Sequence, residues 1–256
     1  MSLTLLSASS ASNLKNVSLI ATDMDGTLTR DGFFTSSLLQ ALEALADAKI
    51  AVIIVTGRSA GWVQGIKTYL PIAGAIAENG GIFFPQDSDY PEILTPIPNL
   101  LQHRQQLSQV FEQLKIQFPQ ITESADNCFR LTDWTFDIQQ LTLSELQQMA
   151  DICAENGWGF TYSNVQCHIK PINQDKATSL LKLISSKFIN LSTNEIVTIG
   201  DSPNDESLFD LSKFPFSVGV ANILKYSSTL KHLPAYITSA PEEQGFIELA
   251  NLLLQV

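Results

Sequence analysis

Asp23 and Asp25 stand one residue apart in Ile20-Ala21-Thr22-Asp23-Met24-Asp25-Gly26-Thr27-Leu28-Thr29, at the exit of the apolar run Val17 to Ala21. If that run is a strand, alternation sends both carboxylates to one side, and Gly26-Thr27 lets the chain leave the sheet directly behind them. Two acids this close do not comfortably both stay ionised unless a cation lies between them or one keeps its proton. Either arrangement is usable chemistry. Oxygen ligands of this kind hold a magnesium ion, and a carboxylate can act as a nucleophile while its neighbour moves a proton. Asp-x-Asp also occurs in ordinary turns and at helix N-caps, so the pair alone decides little.

Three further segments carry the same kind of signal. The β-branched run Ile50 to Val55 ends in Thr56-Gly57-Arg58-Ser59, and Glu195 to Ile199 ends in Gly200-Asp201-Ser202-Pro203-Asn204-Asp205. Gln174-Asp175-Lys176-Ala177-Thr178 sets a lysine at the start of an amphipathic helix that continues through Leu180, Leu181, Leu183 and Ile184. Ligands of open parallel sheets bind outside the carboxyl ends of the strands, so the four segments can converge on one site. Taken singly they are bland: Lys176 is a solvated helix lysine, and Asp205 a carboxylate that stabilises the first turn of a helix at Glu206 to Leu211.

In order, residue type and placement at strand ends, this set resembles the four motifs of the haloacid dehalogenase-like (HAD) phosphatase superfamily. Thr56-Gly57-Arg58, Glu78-Asn79-Gly80-Gly81, Gly200 to Asp205 and Val218-Gly219-Val220-Ala221-Asn222 are similar to the Cof-type, or type IIB, subgroup, which includes sugar-phosphate phosphatases and carries a C2-type cap. The likeness runs from about Val17 to the C-terminus, apart from a less distinctive middle segment. It implies a magnesium-dependent phosphomonoesterase. Asp23 would be the nucleophile that forms an aspartyl-phosphate, and Asp25 would protonate the leaving oxygen and later take a proton from water. Mg2+ would be held by Asp23, the backbone carbonyl of Asp25 and Asp201, with Asn204 and Asp205 in support. Thr56, the Gly57 amide and Lys176 would neutralise the phosphate oxygens. Ala177 stands where many relatives have Gly, a mild departure.

The elements that must position these residues follow from hydrophobic periodicity. Strand 17–23, a helix from Ser36 to Ala48 with Leu38, Leu39, Leu42, Leu45 and Ala46 on one face, strand 50–55, a helix near Ala60 to Tyr69 and strand Ile72 to Ala77 make a βαβαβ unit. That begins a doubly wound, mostly parallel α/β sheet of Rossmann-like, HAD-like form. After Ile82-Phe83-Phe84 the prolines Pro85, Pro91, Pro96 and Pro98 mark a change of character. A helix from about Leu100 to Phe118, strand patterns at Asn127 to Leu131 and Thr135 to Ile138, a helix near Ser144 to Asn156 and a last strand pattern from Gly159 to Ile169 follow. The expected division is therefore a core of residues 15–84 and 172–256 with an inserted α+β cap at 85–171, resembling the C2 cap. The βα pattern resumes in the core through Phe216 to Val220 and Tyr236 to Thr238.

Substrate selection is expected in or near the cap. Arg58 and Asn79 lie at strand ends facing the cleft. Arg58 either meets the phosphate or substrate body or pairs with a surface carboxylate. Cys128, Arg130, Trp134, Tyr162, Ser163, Asn164, His168 and Lys170 are the polar and aromatic residues of the cap strands, with Arg130, His168 and Lys170 as candidate substrate contacts. For each of them a place on the solvated face of the cap sheet is the plainer expectation.

Composition sets limits. The 256 residues suffice for an α/β core and a second small domain, and 26 acidic against 15 basic side chains give a net charge of −11, which disfavours nucleic-acid and membrane-surface partners. No apolar stretch approaches the roughly 20 residues that span a bilayer. Residues 1–14, Ser-, Ala- and Leu-rich from Met1 to Ser12, lack the features of a signal peptide and are expected to form a disordered leader. Cys128, Cys153 and Cys167 show no CxxC spacing, which fits a reduced, cytoplasmic compartment. A monomer or homodimer acting on a small soluble phosphate ester, a sugar phosphate or related metabolite, is the expectation. A phosphohexomutase of the phosphomannomutase type would use the same two aspartates but need more basic residues in the cap. A non-catalytic sugar-phosphate-binding protein is the rival outside enzymology, and a P-loop nucleotide-binding protein is disfavoured by the absence of Gly-x-x-x-x-Gly-Lys-Ser/Thr.

Overall fold

Short apolar runs with polar exits become the central strands of a nine-stranded sheet. A computed structural model describes residues 4–138 and 140–255. In chain order the strands of this sheet are β1 (Thr4–Leu5), β2 (Leu19–Thr22), β3 (Ala51–Val55), β4 (Gly74–Ala77), β5 (Ile82–Pro85) and β6 (Glu92–Ile93). After an insert that carries β7 (Trp134–Asp137), β8 (Trp158–Tyr162) and β9 (Gln166–Pro171), the sheet resumes with β10 (Ile196–Gly200), β11 (Phe216–Gly219) and β12 (Tyr236–Ile237). The order across the sheet is β1-β12-β11-β10-β2-β3-β4-β5-β6, and only the pairs β4–β5 and β5–β6 are antiparallel. β2 lies between β10 and β3, with Ile20 opposite Val197 and Val52.

Strand alternation decides which helix covers which face. Ile20, Val52 and Ile54 point to the side of helices α1 (Ala8–Leu14), α2 (Ser36–Asp47), α3 (Ala60–Lys67) and α7 (Glu242–Leu253), where Leu38, Leu42, Val63, Phe246 and Leu249 are buried. Leu19, Ala21, Ile53 and Val55 point to the other side, against Leu180, Leu183 and Ile184 of helix α6 (Lys176–Lys187). With both faces covered the central strands read as continuous apolar runs, as parallel sheets require.

The insert has its own core. Helices α4 (Leu100–Gln117) and α5 (Leu143–Glu155) pack on an antiparallel sheet of order β7-β9-β8, with Leu107, Phe111, Leu114, Met149 and Cys153 against Phe136, Cys167 and Ile169. The period of two in β9 puts Cys167 and Ile169 under the helices. Gln166, His168 and Lys170 then share the opposite face. That face is not solvated as expected: all three are buried, His168 to 1% exposure.

Several expectations need correction. Residues Thr4 to Leu14 do not form a disordered leader: β1 pairs in parallel with β12, and Leu6 and Leu14 are buried in the main core. Two leucines and two ladder residues suffice to dock a segment whose composition looks like a linker. The stretch after Phe84 stays with the core sheet as far as Ile93, because β6 pairs with β5. The Asn127 to Leu131 pattern is no strand but a 3-10 turn, Ala125–Phe129, and the single strand expected from Gly159 to Ile169 is a hairpin whose turn lies at residues 163–165. The helix expected at Glu206 to Leu211 is a 3-10 turn, Pro203–Phe209. Among the described residues no helix is long and apolar enough to cross a membrane.

Candidate active site

The four motifs meet at the carboxyl ends of β2, β3 and β10 and the first turn of α6. The chain at Asp23 is still in register, its N–H donating to the Ile199 carbonyl at 2.9 Å, and it then turns sharply as the N–H groups of Leu28 and Thr29 fold back onto the Met24 carbonyl. Gly26 makes the turn with φ +83°, a conformation that favours glycine. A Cβ there would lie 2.5 Å from Oδ2 of Asp201. Gly26→Ala is therefore expected to displace Asp201 and to weaken divalent-cation binding at the aspartate cluster about 10–100-fold, the usual cost of disturbing what orients a ligand. A magnesium titration read by thermal shift checks this, and an unchanged midpoint would separate Asp201 from the ion.

Lys176 is the centre of charge compensation. Asp175 caps α6 by accepting from Thr178 N at 2.8 Å, which fixes Lys176 as the first helical residue. Its fully buried ammonium donates to Asp23 Oδ1 at 2.5 Å and to Asp205 Oδ1 at 2.6 Å. Burial opposes its charge, but Asp205 and Asp23 together overcome this and hold the ammonium above the usual lysine range. Asp205 is spent as a support: its Oδ2 accepts the N–H groups of Asp201 and Ser202.

The acids remain under strain. Burial, then the charge of Asp205, raises the Asp23 carboxyl to about 7 against the pull of Lys176, and burial with the charges of Asp23 and Asp205 raises Asp201 well above the carboxylate range. Ligand atoms of Asp23, Asp201 and Asp205 lie within 4.8 Å of one another. Asp201 is gripped on Oδ2 by Asn222 Nδ2 at 2.8 Å, while its buried Oδ1 has no hydrogen-bond partner among the described residues. An orphaned carboxylate oxygen on a member of a buried acidic cluster fits a hard divalent cation such as magnesium.

One wall of the cavity beside Asp23 comes from the end of β3. Thr56 N–H donates to the Ile76 carbonyl and Thr56 Oγ1 accepts from Arg58 N at 3.1 Å. Gly57 faces His168 so closely that a Cβ would come within 3.1 Å of its ring. Asp23, Asp25, Thr56, Gly57, Arg58, Ser202 and Asn204 from the core, with Ser163, Val165, Gln166 and His168 from the insert, enclose about 10 Å³ of free space. That is room for about one water. Asn79 lies behind this wall, its N–H donating to the Thr56 carbonyl and its Oδ1 accepting from Asn204 Nδ2 at 3.1 Å.

The candidate substrate residues separate. His168 lines the cavity with Nδ1 tied to Asp133 Oδ2 at 2.8 Å, and burial holds its pKa below the usual histidine value against the pull of Asp133. Arg58 lines it too, forked onto Asp25. Arg130 does not reach the cavity. Its guanidinium is consumed by Asp126, Asp133, Gln166 and the Gly57 carbonyl, so it braces the turn at Gly57. Lys170 donates to the Gln174 carbonyl at 2.5 Å and is likewise a structural contact. Sequence reasoning assigned no role to Asn222, Asp133 or Glu78. Buried Glu78 accepts Ala60 N at the start of α3 and the N–H groups of Leu131 and Thr132, stitching the insert to the core.

Comparison with known proteins bears on the family and the fold. The family model for haloacid dehalogenase-like hydrolases matches residues 20–129 and 99–248. A phosphoglycolate phosphatase of Methanothrix thermoacetophila is 25% identical over 241 residues, 92% of this chain and 96% of that protein. Phosphoglycolate phosphatase 1 of Saccharolobus solfataricus is 28% identical over 243 residues, 93% and 96% of the two chains. In fold, a crystal structure of a Thermoplasma acidophilum protein superposes with TM-score 0.75 at 21% identity, covering 93% of this chain and 99% of the other. The sucrose-phosphatase of Synechocystis, solved with sucrose and phosphate, does so with TM-score 0.67 at 15% identity, covering 93% and 98%. Motif order, the convergent aspartates and the family match together place the chain among the haloacid dehalogenase-like hydrolases.

Proposed function

We propose that this phosphatase is a magnesium-dependent phosphomonoesterase that works through an aspartyl-phosphate on Asp23, and that its substrate is a small phosphate ester of a hydroxy acid or sugar. The observation that carries the reading is Asp23 itself: a buried carboxylate aimed by Lys176 into the one small space shared by Thr56, Gly57 and Asp25. Asp23, Asp201 and the Asp25 carbonyl would hold magnesium, which supplies positive charge against the phosphate and the crowded acids. An Asp23 oxygen forms a bond to phosphorus as the bond to the alcohol oxygen breaks, and Asp25 gives that oxygen a proton. Water then attacks the same phosphorus, returns a proton to Asp25 and releases phosphate with Asp23 restored. Lys176, Thr56 Oγ1 and the Gly57 amide offset charge on the non-bridging oxygens.

The insert acts as the cap in this reading, its boundary with the core falling after Ile93. Because the cavity holds about one water, the hairpin at 163–165 has to swing away to admit an ester. Arg130 and Lys170, the cap cations that a mutase would use on a second phosphate, are both bound up within the fold, which favours hydrolysis over phosphoryl return. The curated relatives named as phosphoglycolate phosphatases favour a small ester with a carboxylate. Phosphate release from a panel of esters tests this. Turnover that is lost with a chelator and restored by magnesium is expected, and release indifferent to magnesium, or none from any ester, contradicts it.

A further inference from the structure

Arg58 closes on Asp25 with both arms of its fork: Nε donates to Oδ2 at 2.9 Å and Nη2 to Oδ1 at 2.5 Å. Bidentate pairs of this kind are among the strong charge-assisted hydrogen bonds. Each oxygen of Asp25 thereby accepts one bond from the guanidinium, and the fork holds the carboxylate plane on Arg58. For Asp25 to turn onto the leaving oxygen as the proton carrier, the assignment on which this inference rests, the guanidinium has to let go once an ester is bound.

The surroundings permit that movement. The Arg58 side chain is 28% exposed, whereas those of Lys176 and Arg130 are fully buried. Its guanidinium carbon lies 5.1 Å from the Trp62 ring centre. It stands on the border between the catalytic cavity and a groove of about 370 Å³ walled by Phe33, Phe34, Trp62 and Ile66. Stacked on the indole, the guanidinium can pivot without giving up that contact. Leaving a partly buried carboxylate is costly unless another anion takes its place. An alcohol portion that ends in a carboxylate offers this exchange close to the leaving oxygen, and a neutral alcohol portion does not.

We propose that Arg58 is an exchangeable clamp: it grips the Asp25 carboxylate in the free enzyme and passes its two hydrogen bonds to a carboxylate on the alcohol part of the bound ester, which frees Asp25 to take a proton from water and give it to the leaving oxygen, the proton later returned by the attacking water going back to solvent as the clamp re-forms. Selectivity for carboxylated esters is then expressed in kcat as well as in KM, because the exchange prepares the catalytic group. His168, Gln166 and Ser163 form the cap side of the same cavity, and among these cavity-lining residues Arg58 is the permanent cation.

The test compares 2-phosphoglycolate with 2-hydroxyethyl phosphate, its neutral counterpart of similar size, in the magnesium-loaded enzyme and in Arg58→Met and Arg58→Lys. The unaltered protein is expected to favour phosphoglycolate by about tenfold or more in kcat, and Arg58→Met to bring the two within about threefold, with Arg58→Lys between them. Equal kcat on the two esters in the unaltered protein, or an equal fall for both in Arg58→Met, overturns the clamp and leaves Arg58 as a fixed support of Asp25. A second measurement leaves Arg58 in place: in Asp23→Asn, the NMR resonance of Arg58 Nε is expected to shift with phosphoglycolate and stay put with 2-hydroxyethyl phosphate. The same shift with both, or with neither, contradicts the proposal. If no ester is turned over at all, the phosphatase reading fails, and the Arg58 resonance still decides the clamp separately.

Discussion

Replacing Asp23 by Asn is expected to lower turnover of any phosphate ester by about 10⁴-fold or more, as loss of a nucleophile does where catalytic groups act as a unit. The fold should not suffer. Burial and the charge of Asp205 already push the Asp23 carboxyl up to about 7, so its ionised form is strained at this position. A neutral amide of the same shape relieves Asp201 and Asp205 of one like charge, and its oxygen can still accept from Lys176. A melting temperature that holds or rises while activity vanishes is the expected pair of results, the trade of stability for chemistry seen at many sites. Activity within tenfold of the unaltered protein would remove Asp23 from the chemistry, and joint loss of activity and fold would make its role structural.

Lys176→Met should behave in the opposite way. Its ammonium is the shared partner of two buried carboxylates, so its loss leaves charge buried without compensation, at about 3–5 kcal/mol. For a chain of this size that lowers the melting temperature on the order of 10 °C, at roughly 2–4 °C per kcal/mol. Turnover should fall about 10²–10³-fold as well, since the proposed mechanism uses this ammonium to offset charge on the phosphate oxygens. Magnesium should raise the melting temperature of the variant more than that of the unaltered protein, because the ion supplies part of the missing charge. Thermal melts with and without magnesium check this, and a variant as stable as its parent would show that Lys176 does not neutralise the cluster.

The parts of the site that were legible in the sequence are those in which one short segment carries both the strand and its polar exit. β2, β3 and β10 are short, mostly apolar strands, and each is followed directly by Asp23, Thr56 or Asp201. The start of α6 was legible for a related reason, since Asp175 caps it three residues before Thr178. What was hidden depends on contacts between distant segments. Asn222 orients Asp201 from 21 positions away, and Glu78 holds Thr132 across 54. In β9 the alternation of Gln166, Cys167, His168, Ile169 and Lys170 was readable, but nothing local says that the polar face turns towards the core instead of towards water. Lys170 looks like a free cap cation in the sequence because its partner, the Gln174 carbonyl, is a backbone atom that no side-chain pattern reveals, whereas Arg130 has local acids in Asp126 and Asp133 whose spacing could have marked it as paired. β1 is only two residues long, and α1 is mostly Ser and Ala, so the contacts that dock them, among them buried Leu6 and Leu14, the pairing with β12 and the Asn13 amide on Tyr236, leave little trace in composition.

The most direct measurement is to quench the magnesium-loaded enzyme in acid within a single turnover of a phosphate ester and weigh its peptides. A phosphoryl group that appears on the peptide containing Asp23, ahead of free phosphate, and is absent in Asp23→Asn is the result expected here. Phosphate released at full rate while that peptide never gains mass would mean that water attacks the ester directly, and Asp23 would then be a ligand and not the nucleophile.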